Sequence, residues 1–110
     1  MKEFRNKRKR GTKGKTASIT LVMPLGRFRL NDKAIELLKF DYTKQGLMFL
    51  LGKDKIKIKI EETKEPDNYH LNKVNVFSNQ NLGFQFVEVF GLKSEGTHYF
   101  KVGNDNIIEV

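Results

Sequence analysis

The chain has 110 residues, of which 31% are charged, and its 21 Lys and Arg against 13 Asp and Glu leave a formal net charge of +8. It contains no cysteine, which excludes a disulfide framework, a cysteine-ligated zinc site and thiol chemistry. No apolar run approaches the roughly 18 residues of a membrane span, and no apolar stretch follows the basic N-terminus, so neither a membrane partner nor a secretory signal is expected, and the expected location is cytoplasmic.

The charge is unevenly placed. Residues 1–17 hold eight bases and one acid, whereas Leu30 to Val110 hold 11 bases and 12 acids. A block of like charge cannot pack against itself. Residues 1–17 are therefore expected to be a flexible, disordered basic arm, and residues 18–110 a single compact domain. All five arginines (Arg5, Arg8, Arg10, Arg27 and Arg29) fall in the first 29 residues, and every later base is lysine. A guanidinium fork matches phosphate oxygens and guanine edges bidentately, while lysine acts as a point charge. Arg5, Lys7, Arg8, Lys9, Arg10, Lys13 and Lys15 are thus candidate nucleic-acid contacts. Anionic lipid, an acidic protein or plain solubility are the other uses such an arm admits.

In chain order, Thr16 to Met23 turns β-prone where the charge run ends. After Pro24 and Gly26, Arg27 to Leu30 alternates strictly, which predicts Phe28 and Leu30 inward and Arg27 and Arg29 outward. Asn31 or Asp32 then caps a short helix over Lys33 to Lys39, with Ile35, Leu37 and Leu38 to bury. Leu47 to Leu51 reads as a buried strand. Lys55 to Ile60 reads K-I-K-I-K-I, a strand with Ile56, Ile58 and Ile60 on one face. Its lysines, Lys55, Lys57 and Lys59, either keep an exposed face or edge strand soluble or form a basic ribbon that contacts nucleic acid. Glu61 to Asn68 is a polar linker or loop, and Tyr69 to Phe77 is expected to be extended. Leu82 to Phe90 has both helical and strand character; the helix is preferred, with Leu82, Phe86, Val89 and Phe90 on one face and Gly91 ending it. Thr97 to Val102 and Asn106 to Val110 are the last strands.

The two halves align. Glu36 falls on Glu88, Phe40 on Leu92, Gly46 on Gly96, Phe49 on Phe100, Gly52 on Gly103, Asp54 on Asp105 and Ile56 on Ile107, with short gaps in the loops. Each half runs strand, short helix, glycine loop, hairpin. The expected fold is mainly β with one or two short helices (α+β). Tandem units at about 18–62 and 69–110 would form a pseudo-twofold small barrel in which each unit buries the other's apolar face.

The unit R-F-R-L-N-D-K-A-I-E-L-L followed by G-L-M-F-L-L-G-K-D-K-I-K-I resembles the AbrB/SpoVT-like swapped-hairpin DNA-binding family. Two units in one chain are similar to the tandem form of the MraZ regulators and of small Bacteroidetes and phage proteins. The resemblance spans roughly Met23 to Ile60, and more faintly Phe77 to Val110. It implies DNA binding by a homo-oligomer through basic residues on the first strand, where Arg27 and Arg29 match. The chain departs from the family at its helix start, which lacks the usual proline and arginine, and in its second unit, whose first strand has no base.

No motif argues for an enzyme or a cofactor. Gly14-Lys15-Thr16 lacks the earlier glycine and preceding strand of a phosphate loop. His70 and His98 have no second ligand at metal-site spacing, and adjacent Glu61 and Glu62 point to opposite faces of a strand. The expected partner is nucleic acid, DNA rather than RNA, bound by a transcriptional regulator. The alternative is a structural component of a phage virion or nucleoprotein particle, where the arm neutralises nucleic acid and the body meets protein partners.

Overall fold

Strict alternation sets the first two strands of the computed structural model, which describes residues 16–110. β1 (Ser18–Met23) turns Ile19, Leu21 and Met23 inward, and β2 (Arg27–Leu30) turns Phe28 and Leu30 inward with both arginines outside, as the pattern predicts. α1 (Asp32–Leu38) follows at once. Asn31 caps it: its Oδ1 accepts the Ala34 N–H at 2.8 Å and the Ser18 N–H at 3.0 Å, while its Nδ2 donates to Thr16 O at 2.7 Å. One side chain thereby ties the helix start to the root of β1. The helix is only seven residues long, so only Ala34 and Leu38, four apart, face the sheet. Leu37, expected in the core, is exposed, and Ile35 is only partly covered.

β3 (Gly46–Leu51) and β4 (Ile56–Glu61) form a hairpin, with Lys55 in its turn rather than in the strand. The stretch expected to run extended from Tyr69 does not do so. Asn72 Oδ1 accepts the N–H groups of Val74 and Val76 at 2.9 and 3.1 Å, and Asn75 takes a left-handed φ of 64°. The chain turns there, and only β5 (Val76–Ser78) is a strand. α2 (Gln80–Phe90) is a helix, capped by Asn79 through the Leu82 N–H at 2.9 Å and closed by Gly91 at φ 65°. β6 (Gly96–Val102) and β7 (Ile107–Glu109) form the last hairpin.

The seven strands form one antiparallel sheet in the order β3-β4-β7-β6-β1-β2-β5, curled into a half-barrel. Its ladders are self-consistent under exchange of the two halves. β4 meets β7 through Ile56↔Ile108 and Lys57↔Ile107, which interchange when Ile56 is placed on Ile107. β2 meets β5 symmetrically about Phe28↔Phe77. Both helices start at a capping asparagine and end at a left-handed residue, Lys39 or Gly91. β1 precedes β2 and pairs with β6; Tyr69 precedes β5 and bridges to Leu47 of β3, with both N–H···O bonds at 2.8 Å. The counterpart of a six-residue strand is thus one bridge. β4, with its lysines, lies inside the sheet; β3 is the edge.

The concave face is filled by aromatic rings. Phe28 and Phe77 stack with centroids 4.8 Å apart and planes 3° apart. Phe86, from the longer helix, meets Phe28, Phe49 and Phe100 edge-on at 4.9, 5.5 and 5.4 Å. Edge-on contact sets the positive ring edge against a negative ring face. Phe86 is fully buried. Phe86→Ala is expected to lower stability by about 3–5 kcal/mol, the range for emptying a buried aromatic site. Urea unfolding followed by circular dichroism would measure this, and a loss below about 1 kcal/mol would contradict the central role given to this ring.

Candidate nucleic-acid interface

The convex face of the sheet is built by the same alternation that buries the core. β1 pairs with β2 on one side and β6 on the other, and β2 pairs with β5, so outward residues line up in rows across the strands. One row is Thr97, Val22, Arg27 and Ser78; the next is Tyr99, Thr20 and Arg29; a third pairs Lys101 with Ser18. Arg27, Arg29, Thr97, Lys101 and Ser78 are exposed, and Tyr99 is 69% exposed. Thr20, Val22, Arg27 and Arg29 line one surface cleft. A neighbouring cleft is shared by Arg29, Thr20, Asn31, Asp32 and Asn75.

Arginine, an aromatic ring and hydroxyl groups on an open sheet face are the side chains that meet phosphates and bases. No ion pair joins Arg27 or Arg29 to an acid among the described residues. The rows through the two arginines hold no acid; Glu109 enters the face only beside Lys101, on β7. The root of the arm adjoins this face. Ala17 O accepts the Val102 N–H at 3.0 Å, and Ser18 opens the β1–β6 ladder opposite Lys101. Thr16 and Ala17, the last residues of the expected arm, are therefore tied to the body. The arm candidates Arg5, Lys7, Arg8, Lys9, Arg10, Lys13 and Lys15 lie outside the described residues.

The lysines of β4 belong to a different region. β4 is four strand steps from β2 in the sheet order, about 19 Å along the sheet at 4.8 Å per step, and the curl turns the two outer faces apart. Lys57 stands between Leu50 and Ile107, and Lys59 beside Met48. Lys59 Nζ lies 3.3 Å from Glu61 Oε2, which offsets its charge. Lys55 projects from the hairpin turn. The fold brings Arg27 and Arg29 together and leaves Lys55, Lys57 and Lys59 apart from them.

Tyr99, Thr20 and Lys101 were not singled out by the sequence. Their strands alternate visibly, but nothing local says that β6 lies beside β1, about 80 residues earlier. The two histidines hold loops: His98 Nε2 lies 2.7 Å from Lys93 O and His70 Nε2 2.9 Å from Glu65 O. Among the described residues no three His, Asp or Glu side chains converge as metal ligands, and no helix is long and apolar enough to cross a membrane. Compared with protein families, with curated proteins and with solved structures, the chain matches none.

Arg27 and Arg29 are exposed and make no ion pair with a described acid, so the described body is expected to gain little stability from them. The double substitution Arg27→Ala/Arg29→Ala is expected to change unfolding free energy by no more than about 0.5 kcal/mol per site. A thermal melt would check this. A drop of several degrees would mean that the arginines pack rather than bind.

Proposed function

We propose that the protein binds nucleic acid, as a DNA-binding regulator of AbrB-like type working as a homo-oligomer. The basic arm tracks phosphates while Arg27 and Arg29 dock the body. The observation that carries this reading is the meeting of two features. The arm's root at Thr16 to Ser18 adjoins the convex face that bears the only arginines among the described residues. A polyanion followed by the arm would be led across Lys101, Thr20 and Arg29. The strand–helix–hairpin order, present twice, supports the AbrB-like form of the proposal.

A second reading, a structural component of a virion or nucleoprotein particle, draws support from β3. This edge strand carries no charge and no proline, and Leu50 and Leu51 are exposed on it. Uncharged apolar edges invite pairing with other chains.

Binding to a labelled random-sequence duplex across a salt series separates the two. Each phosphate contact contributes about 0.9 to the slope of log affinity against log salt. Removal of residues 1–15 is expected to flatten that slope by several units and leave weak binding, which Arg27→Ala/Arg29→Ala then abolishes. If truncation alone removes all binding, the body has another task and the particle reading takes over. Absence of binding by the full chain to DNA and RNA, even at low salt, rules out both.

A further inference from the structure

Leu25 stands at the tip of the β1–β2 hairpin and is 65% exposed. A solitary surface leucine needs no explanation in general. This one differs in how the backbone beneath it is held. The Gly26 N–H donates to Val22 O at 2.9 Å, the Asn79 N–H donates to Gly26 O at 2.8 Å, and Gln80 Nε2 donates to Pro24 O at 2.8 Å. Gly26, at φ 70°, is pressed so closely on the start of α2 that an added Cβ would lie 2.5 Å from Gln80 Cα. The turn is thus fastened on both sides of Leu25, while the side chain itself points into solvent.

The surroundings of this tip suit a polyanion. Arg27 follows two residues later on the outer face, with Arg29 beyond it in the same cleft. The first turn of α2, which flanks the tip, holds no acid. Four other exposed apolar side chains lack this combination. Leu50 and Leu51 lie on the β3 edge, Val74 in a loop, and Tyr99 within the sheet surface rather than at a projecting turn.

We infer that Leu25 is a wedge that enters duplex DNA between two base pairs while Arg27 and Arg29 hold the adjoining phosphates. The inference rests on the nucleic-acid reading above. Separating a stacked step costs a few kcal/mol, and apolar side chains that do so kink the duplex. A wedge on a loose loop would yield before the stack did; three hydrogen bonds and the close packing of Gly26 remove that freedom. Pyrimidine–purine steps, which unstack most readily, are the expected points of entry.

The test uses the full chain and a short duplex carrying 2-aminopurine at a central pyrimidine–purine step, with a fluorophore pair on its ends. Wild-type protein is expected to raise 2-aminopurine fluorescence and shorten the end-to-end distance. Leu25→Ala should abolish both signals and weaken binding about tenfold with the salt slope unchanged, because leucine contacts no phosphate. Arg27→Ala should instead lower the salt slope by about 0.9. If the wild type binds without either signal, or Leu25→Ala retains both, the wedge is overturned and the nucleic-acid reading stands. If the full chain binds no DNA at low salt, that reading falls and the wedge with it. Thermal melts of each variant exclude unfolding as the cause.

Discussion

The body depends on the contact between Phe28 and Phe77. These residues face each other across the β2–β5 ladder, stack ring on ring, and receive the edge of Phe86 from α2. A curled sheet leaves a concave space that only bulky groups fill, and aromatic rings fill it with the fewest side chains. The same contact fixes the outer face. Side chains alternate along a strand, so a one-residue slip of β2 would place Arg27 and Arg29 in the core and Phe28 in water. Core packing and the position of the arginines are thus one constraint read from two sides of a strand.

The two halves share their ladders and helix caps but differ in what they carry. α2 is 11 residues long against seven for α1, and it delivers Phe86 to the centre, where α1 offers only Ala34 and Leu38. On the outer face, Ser78 and Val76 stand opposite Arg27 and Arg29. The first half has its full strand β1, joining β2 to β6; the second has the Tyr69 bridge and a turn built on Asn72. The symmetry therefore belongs to the backbone and the core. The arginines are confined to the first half, so only one of the two symmetry-related positions on the outer face carries them.

Much of this was legible in the sequence. The alternation in β2 and β4 predicted which residues face inward, because period two has only one solution when one face is apolar. The glycines and the Glu36–Glu88 match placed the repeat, and the structure puts a helix end at each glutamate's turn and a strand start at Gly46 and Gly96. The misses have local causes. Leu37 was expected inside, but a helix of two turns presents only one i, i+4 pair to the sheet. The stretch after Tyr69 was expected to run straight, but Asn72 offers its side-chain oxygen to two later N–H groups and bends it.

By itself the sequence determined the composition of the molecule's two faces: apolar positions at period two and a charge block at one end are written in the order of residues, and no tertiary contact is needed to read them. Only the tertiary structure decided which outward residues share a surface. Tyr99 shares a row with Arg29, with Thr20 between them, because β1 accepts β6 as a neighbour. Lys57 and Lys59 are removed from the arginines because β7, β6 and β1 intervene. The turn that carries Leu25 is fastened because α2 begins against Gly26. Strand order is chosen by the burial of side chains far apart in the chain, so no local pattern encodes it.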